Sequence, residues 1–304
     1  MPPAFAPPEE RRLLGIGLAL ASYFMFTGID SSAKWLGLAG IPALQVVFLR
    51  YVLHLALTAG INLPTMGTAL FRTASLRVQV LRAAMLLGAT TSNFVAVLYL
   101  PLTVTGAIAF TMPLFICALS VPMLGESVGW RRWAAIAVGF VGVLIIVRPG
   151  SEAFHPAALL CLAGALFSAF YFLLTRRMAG RDSAATQQFY VGLCATVVLA
   201  PLALPGWTWP SDPATWVAFF TVGLFGFVGH QLSTVALGYA PASVLAPFSY
   251  LQILFMAASS WLIFAQPPDI WLYLGAPIVI ASGLYIWLRE RKLARPVTPV
   301  AEVR

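Results

Sequence analysis

The stretch from Tyr99 to Val147 returns 140 positions later, from Tyr239 to Trp287, without a gap. Under that offset Tyr99 falls on Tyr239, Pro101 on Pro241, Val104 on Val244, and Leu114-Phe115 on Leu254-Phe255. Ala118 and Ser120 fall on Ala258 and Ser260, and Leu144 and Ile146 on Leu284 and Ile286. Each copy reads as a tight polar turn closed by Tyr-x-Pro, an apolar helix, a short break and a second apolar helix. A repeat that holds two membrane-length helices implies a chain of two related halves.

Composition places those halves in a bilayer. Only 9% of the 304 residues are charged and 60% are hydrophobic, against about 25% charged in a typical soluble domain. No face rich in Lys and Glu exists to meet water. The net charge of +8 does not indicate nucleic acid, because the basic residues stand singly or in pairs between apolar runs. Cys117, Cys161 and Cys194 lie far apart in apolar segments and read as packing residues, with no metal or disulfide spacing. The apolar run after the Pro-rich start (MPPAFAPPEERR) is long enough to span, so a retained first helix is expected rather than a cleaved signal.

At about 20 residues per crossing, spans are expected near 13–33, 43–62, 79–99, 104–124, 130–148, 156–175, 186–204, 214–237, 242–264 and 270–288. With the N-terminus inside, the cytoplasmic segments hold Arg11, Arg12, Arg72, Arg77, Arg82, Arg131, Arg132, Arg176, Arg177, Arg181 and the basic tail. The outside keeps Lys34 and Arg148. The expected topology is therefore multi-pass, in a bacterial inner membrane, with both termini cytoplasmic. Residues 1–12 form one tail, 13–150 and 151–290 the two five-helix repeats, and 291–304 the other tail. Five spans is an odd number, so the second repeat enters the bilayer from the opposite side. Inverted repeats are the architecture of secondary transporters, with a substrate site near the midplane and alternating access.

The residues that carry a family resemblance are Asp30-Ser-Ser-Ala-Lys34-Trp35, Gln45-Val-Val-Phe-Leu-Arg50, Tyr99-Leu-Pro-Leu and Pro113-Leu-Phe. Leu124-Gly-Glu126, Arg131-Arg132-Trp133, Gly139-x-x-Gly142-Val143 and Arg148-Pro149-Gly150 follow them. In order and spacing this chain resembles the drug/metabolite transporter superfamily, in its ten-helix EamA-type branch, from about residue 13 to 290. The resemblance implies an all-α integral membrane fold of ten helices in two inverted five-helix repeats. It also implies a cavity between the halves, lined mainly by spans 1, 3, 4, 6, 8 and 9, for amino acids, nucleotide-like metabolites or vitamins. One departure stands out: Gly125-Glu126 has Ala265-Gln266 at the equivalent place. That weakens any role for Glu126 and a symmetric partner in sharing a coupling proton.

Polar side chains deep in hydrocarbon need a partner or an aqueous lining. The densest cluster is Thr90-Thr91-Ser92-Asn93, with Asn93 about 16 Å above Arg82 and close to the midplane. The offset places His230, Gln231, Leu232 and Ser233 on the same positions. Two symmetric polar patches suit a central site, with interhelical hydrogen bonding as the plainer alternative. His230 suits proton coupling, a substrate contact or simple packing. Asp30 and Lys34 stand one turn apart and can pair. Arg50, with His54 a turn deeper, suits a structural ion pair or gate, or an anchor for a carboxylate. Among the deep aromatics, Tyr23, Tyr171, Tyr250 and Trp261 are candidates to stack on substrate, with packing as the alternative for each. Pro113, Pro122 and Pro247 interrupt equivalent helices, and Tyr99–Pro101 and Tyr239–Pro241 are equivalent turns. Pro113, Pro247, both turns, Asp30 and Lys34 form the candidate gate and hinge set.

No HExxH, GxSxG, Walker loop or pair of intramembrane carboxylates is present, and no cofactor or metal is expected. The expected partners are a small-molecule substrate and the lipid bilayer; a monomer and a homodimer both fit. Amino acids or amino-bearing metabolites lead the substrate classes. Riboflavin-like or nucleoside-like molecules, S-adenosylmethionine included, follow. The rival of another class is a membrane enzyme acting on a lipid-linked substrate.

Overall fold

A computed structural model describes residues 9–124, 129–151, 154–178, 181–239 and 245–293, and every regular element among them is helical. The first half holds α1 (Glu9–Leu38), α2 (Ala43–Met66), α3 (Leu76–Tyr99), α4 (Leu102–Ala109), α5 (Met112–Leu124) and α6 (Trp130–Val147). The second holds α7 (Ala157–Met178), α8 (Ala184–Ala203), α9 (Pro213–Tyr239), α10 (Gln252–Leu262) and α11 (Ile270–Leu293). Eight segments are long and apolar enough to cross a membrane, and Trp133–Val147 and Phe248–Leu262 are shorter apolar helices. Together they make the ten expected crossings.

The fourth and ninth crossings are broken, and at equivalent places. Pro113 has no N–H to donate to the carbonyl four residues back, at Ala109, and α4 ends on that residue. The helix restarts at Met112, while Pro122 is carried inside α5 without ending it. In the ninth crossing a 3₁₀ turn (Ala246–Leu251), with Pro247 in its first turn, precedes a restart at Gln252. Met112 and Gln252 are separated by the repeat offset. The interruption expected at Pro247 is thus a tight turn followed by a half-helix. Pro241 lies outside the described residues, as does Glu126.

Packing obeys the same exchange of halves. The closest partner of α1 is α9, and the closest partner of α3 is α7; exchanging the halves turns one pair into the other. The pairs α2·α8 and α6·α11 each map onto themselves. In α6·α11 the two backbones touch: a Cβ on Gly142 would sit 2.9 Å from the Gly275 carbonyl oxygen. Gly142→Val is expected to lower the melting temperature in detergent by about 3–10 °C, through overpacking against a backbone that cannot retreat. An unchanged melting temperature would contradict this contact.

The start of α3, which carries the polar cluster, is tied down at its end of the bundle, here the Asp182 end. Asp182 accepts hydrogen bonds from the Thr73 hydroxyl, the Ala74 N–H (2.8 Å) and the Gln79 amide (2.7 Å). Partial burial opposes its charge, yet these donors and the Arg82 guanidinium outweigh that and hold the carboxyl below its ordinary 3.8. A carboxylate held low stabilises the fold above its unfolded pKa and stops doing so as pH falls through its folded one. Asp182→Ala should therefore cost a few degrees of melting temperature at pH 7 and less near pH 3, as pH falls below the ordinary carboxylate value toward the lowered one. An equal loss at both pH values would refute the carboxylate's role.

Candidate functional site

A cavity of about 390 Å³ lies where the two halves meet. Its wall takes Phe26, Ile29 and Asp30 from α1, Arg50 from α2, and Thr90, Asn93 and Phe94 from α3. From α4 to α10 come Thr105, Phe110, Met112, Ser168, Tyr171, Phe172, His230, Gln252 and Met256. At the end nearer Lys34 the wall is sealed by the buried Ile29, Thr105 and Met256. Phe172, also in the wall, is 47% exposed.

Charge in the cavity is confined to one side. Asp30 Oδ1 accepts the Asn93 amide at 2.8 Å, and Arg50 Nη1 donates to Thr90 Oγ1 at 2.5 Å. Tyr51 hydrogen-bonds the same Thr90 hydroxyl at 2.8 Å, and the Arg50 guanidinium lies 5.1 Å from the Tyr51 ring and 5.7 Å from Phe94. An anion-binding fork and a carboxylate therefore open on one chamber, each pinned by a neutral partner. Phe26, one helical turn from Asp30 and with the His230 ring at 5.1 Å, and Phe110 line the same chamber.

Of the residues singled out in the sequence, Asp30, Arg50, Thr90, Asn93, Tyr171 and His230 come together here. Thr90 and His230 are equivalent under the repeat, so the pseudo-symmetric pair shares one cavity. Thr91, Gln231 and Ser233 are half-buried elsewhere on their helices. Tyr23 packs near Ala19, Ala236 and Leu245. Tyr250 stands behind Phe110, ring to ring at 5.1 Å, and Trp261 is 62% exposed on the surface. The cavity's Phe94, Phe110 and Gln252 were not singled out, although Gln252 marks the α10 restart and could have been found from Met112 by the offset. Cys161, expected as a packing residue, also borders the chamber.

The Asp30–Lys34 pair expected from spacing does not form. Asp30 turns to Asn93, while Lys34 Nζ donates to the Leu100 carbonyl (2.7 Å) and to Gln266 Oε1 (2.8 Å). A helix-surface ion pair contributes only about 0.3–0.5 kcal/mol, too little to hold a buried ammonium away from two converging acceptors. Tyr99 is exposed and stacks on His155 at 5.1 Å, and the Pro101 carbonyl accepts from Val104 and Thr105 at the start of α4. Tyr239 is the last residue of α9.

A sequence model of the EamA-like transporter family matches residues 13–148 and again 155–288. The chain belongs to that family. It is a multi-pass membrane transporter of small metabolites, like others of the EamA-like family. An S-adenosylmethionine uptake transporter of Rickettsia felis is 28% identical over 283 residues, covering 92% of this chain and 94% of that one. A riboflavin transporter of Vibrio cholerae is 33% identical over 189 residues, 62% of this chain and 63% of the relative. A crystal structure of a protein with 20% identity superposes with a TM-score of 0.59 over 90% of this chain and 98% of the other, which marks a shared fold.

Proposed function

We propose that this protein is a bacterial inner-membrane carrier for a nucleoside bearing an amino-acid group, of the S-adenosylmethionine type. Both termini and the Asp182 end face the cytoplasm, and access alternates around the central cavity. The observation that carries the substrate class is the placing of Asp30 and Arg50 in one chamber whose wall is otherwise a mix of aromatic, apolar and uncharged polar side chains with His230. A zwitterionic head would set its carboxylate on Arg50 and its ammonium on Asp30. A flat base and a sulfonium cation suit the faces of Phe26, Phe94 and Phe110. The chamber's volume falls in the roughly 300–1,000 Å³ range of small-ligand pockets. Amino acids led the classes read from sequence; the relatives' names agree instead with the nucleoside-like and riboflavin-like alternative. Riboflavin, uncharged, would offer neither charged group an ion of opposite sign.

The deciding experiment is uptake of radiolabelled S-adenosylmethionine, riboflavin and methionine into proteoliposomes. S-adenosylmethionine should enter saturably, and unlabelled riboflavin should not compete. Saturable riboflavin uptake that S-adenosylmethionine leaves unaffected would overturn the substrate class. A chemically changed product formed in detergent would point to an enzyme instead.

A further inference from the structure

On α2, Arg50, His54, Thr58 and Asn62 follow at four-residue spacing, which stacks them on one helix face. Arg50 opens on the cavity, and Asn62 stands one turn from the end of α2 at Met66. The stripe thus covers about 18 Å along α2. His54 is 6% exposed and Thr58 fully buried. Yet among the described residues His54 Nε2, Thr58 Oγ1 and Oε1 of Gln188 on α8 have no partner at hydrogen-bond distance and angle, although the Gln188 side chain lies near enough to His54 to interact with its ring. From α9 the His230 ring approaches His54 to 6.0 Å and borders the cavity. A buried polar atom left unpaired costs about 1–3 kcal/mol, and proteins meet such atoms with internal water. Three of them in one seam are the two to four partners that a buried water requires.

We propose that the seam between α2, α8 and α9 holds a file of waters from the Asp182 end to the cavity, and that a proton crosses along it in each transport cycle. At His54 the lone pair of one ring nitrogen takes a proton from a water on one side. The other ring nitrogen releases its proton to the water beyond, so the imidazole ends neutral in its other tautomer and a ring flip resets it. Arg50 from α2 and Asp30 from α1 line the cavity together with His230. This inference rests on the carrier reading and supplies its driving ion.

Radiolytic hydroxyl-radical labelling of the purified protein tests the water file without any substrate. His54 should be oxidised within about threefold of the exposed His155, and Thr58→Val should slow it at least fivefold. A His54 that stays unmodified while His155 reacts would overturn the file. The proton is read with a pH dye inside proteoliposomes. Wild type should change internal pH as it takes up S-adenosylmethionine, and His54→Leu should lose that change while keeping substrate-for-substrate exchange. Wild-type uptake with no pH change would overturn the proton step. Absence of any S-adenosylmethionine uptake would instead sink the substrate assignment, and the labelling result would still decide the seam.

Discussion

The double variant Ser31→Cys with Ser259→Cys is expected to transport nothing once oxidised and to recover fully on reduction. The two hydroxyls stand 2.6 Å apart across the halves, α1 to α10. Their Cβ atoms are therefore close to the ~3.5–4.5 Å that a disulfide needs. They lie on the sealed side of the cavity, one turn below the Lys34 hydrogen bonds to Leu100 and Gln266. Gln266 follows Ala265, a non-glycine residue at φ 53°, where a Cβ crowds the backbone at a cost of about 1–3 kcal/mol. The linker thus holds strain while it presents the Gln266 amide to Lys34. If this end must open for substrate to pass, a covalent bond here stops turnover. The test uses a background with Cys117, Cys161 and Cys194 replaced by alanine. Oxidised protein that transports at the reduced rate would show that the Lys34 end never opens.

The second large effect is expected at the charged pair. Asp30→Asn and Arg50→Gln should each weaken S-adenosylmethionine binding by about 2–4 kcal/mol, or roughly 30- to 1,000-fold. Each removes a contact to the zwitterion and leaves the opposite charge in the chamber without its counterpart. Isothermal titration in detergent, with melting curves to verify folding, measures this directly. Wild-type affinity in both variants would remove the zwitterion from the account.

Much of this architecture was legible in the chain because a bilayer imposes a length on each crossing and an odd repeat imposes inversion. The break before Met112 follows from Pro113, and its counterpart before Gln252 from the same offset. Thr90 and His230 were found because polar groups at depth are conspicuous. Ring direction was hidden. The few polar residues of α10, Gln252, Ser259 and Ser260, do not by themselves distinguish the exposed Trp261 from the cavity's Met256. The partner of Asp30 was hidden too, because Asn93 lies 63 residues away and only the packing of α1 near α3 brings the two together.

The interleaved packing of α1 on α9 and of α3 on α7 has a mechanical consequence. Neither copy of the repeat keeps its best neighbour within itself, so neither copy is a rigid block. In the alternating access proposed above, the bodies that part are each assembled from both copies. The close Gly142–Gly275 crossing makes α6 and α11 the natural axle between them. What the gene duplicated and what the membrane sees swing are two different partitions of the same ten crossings.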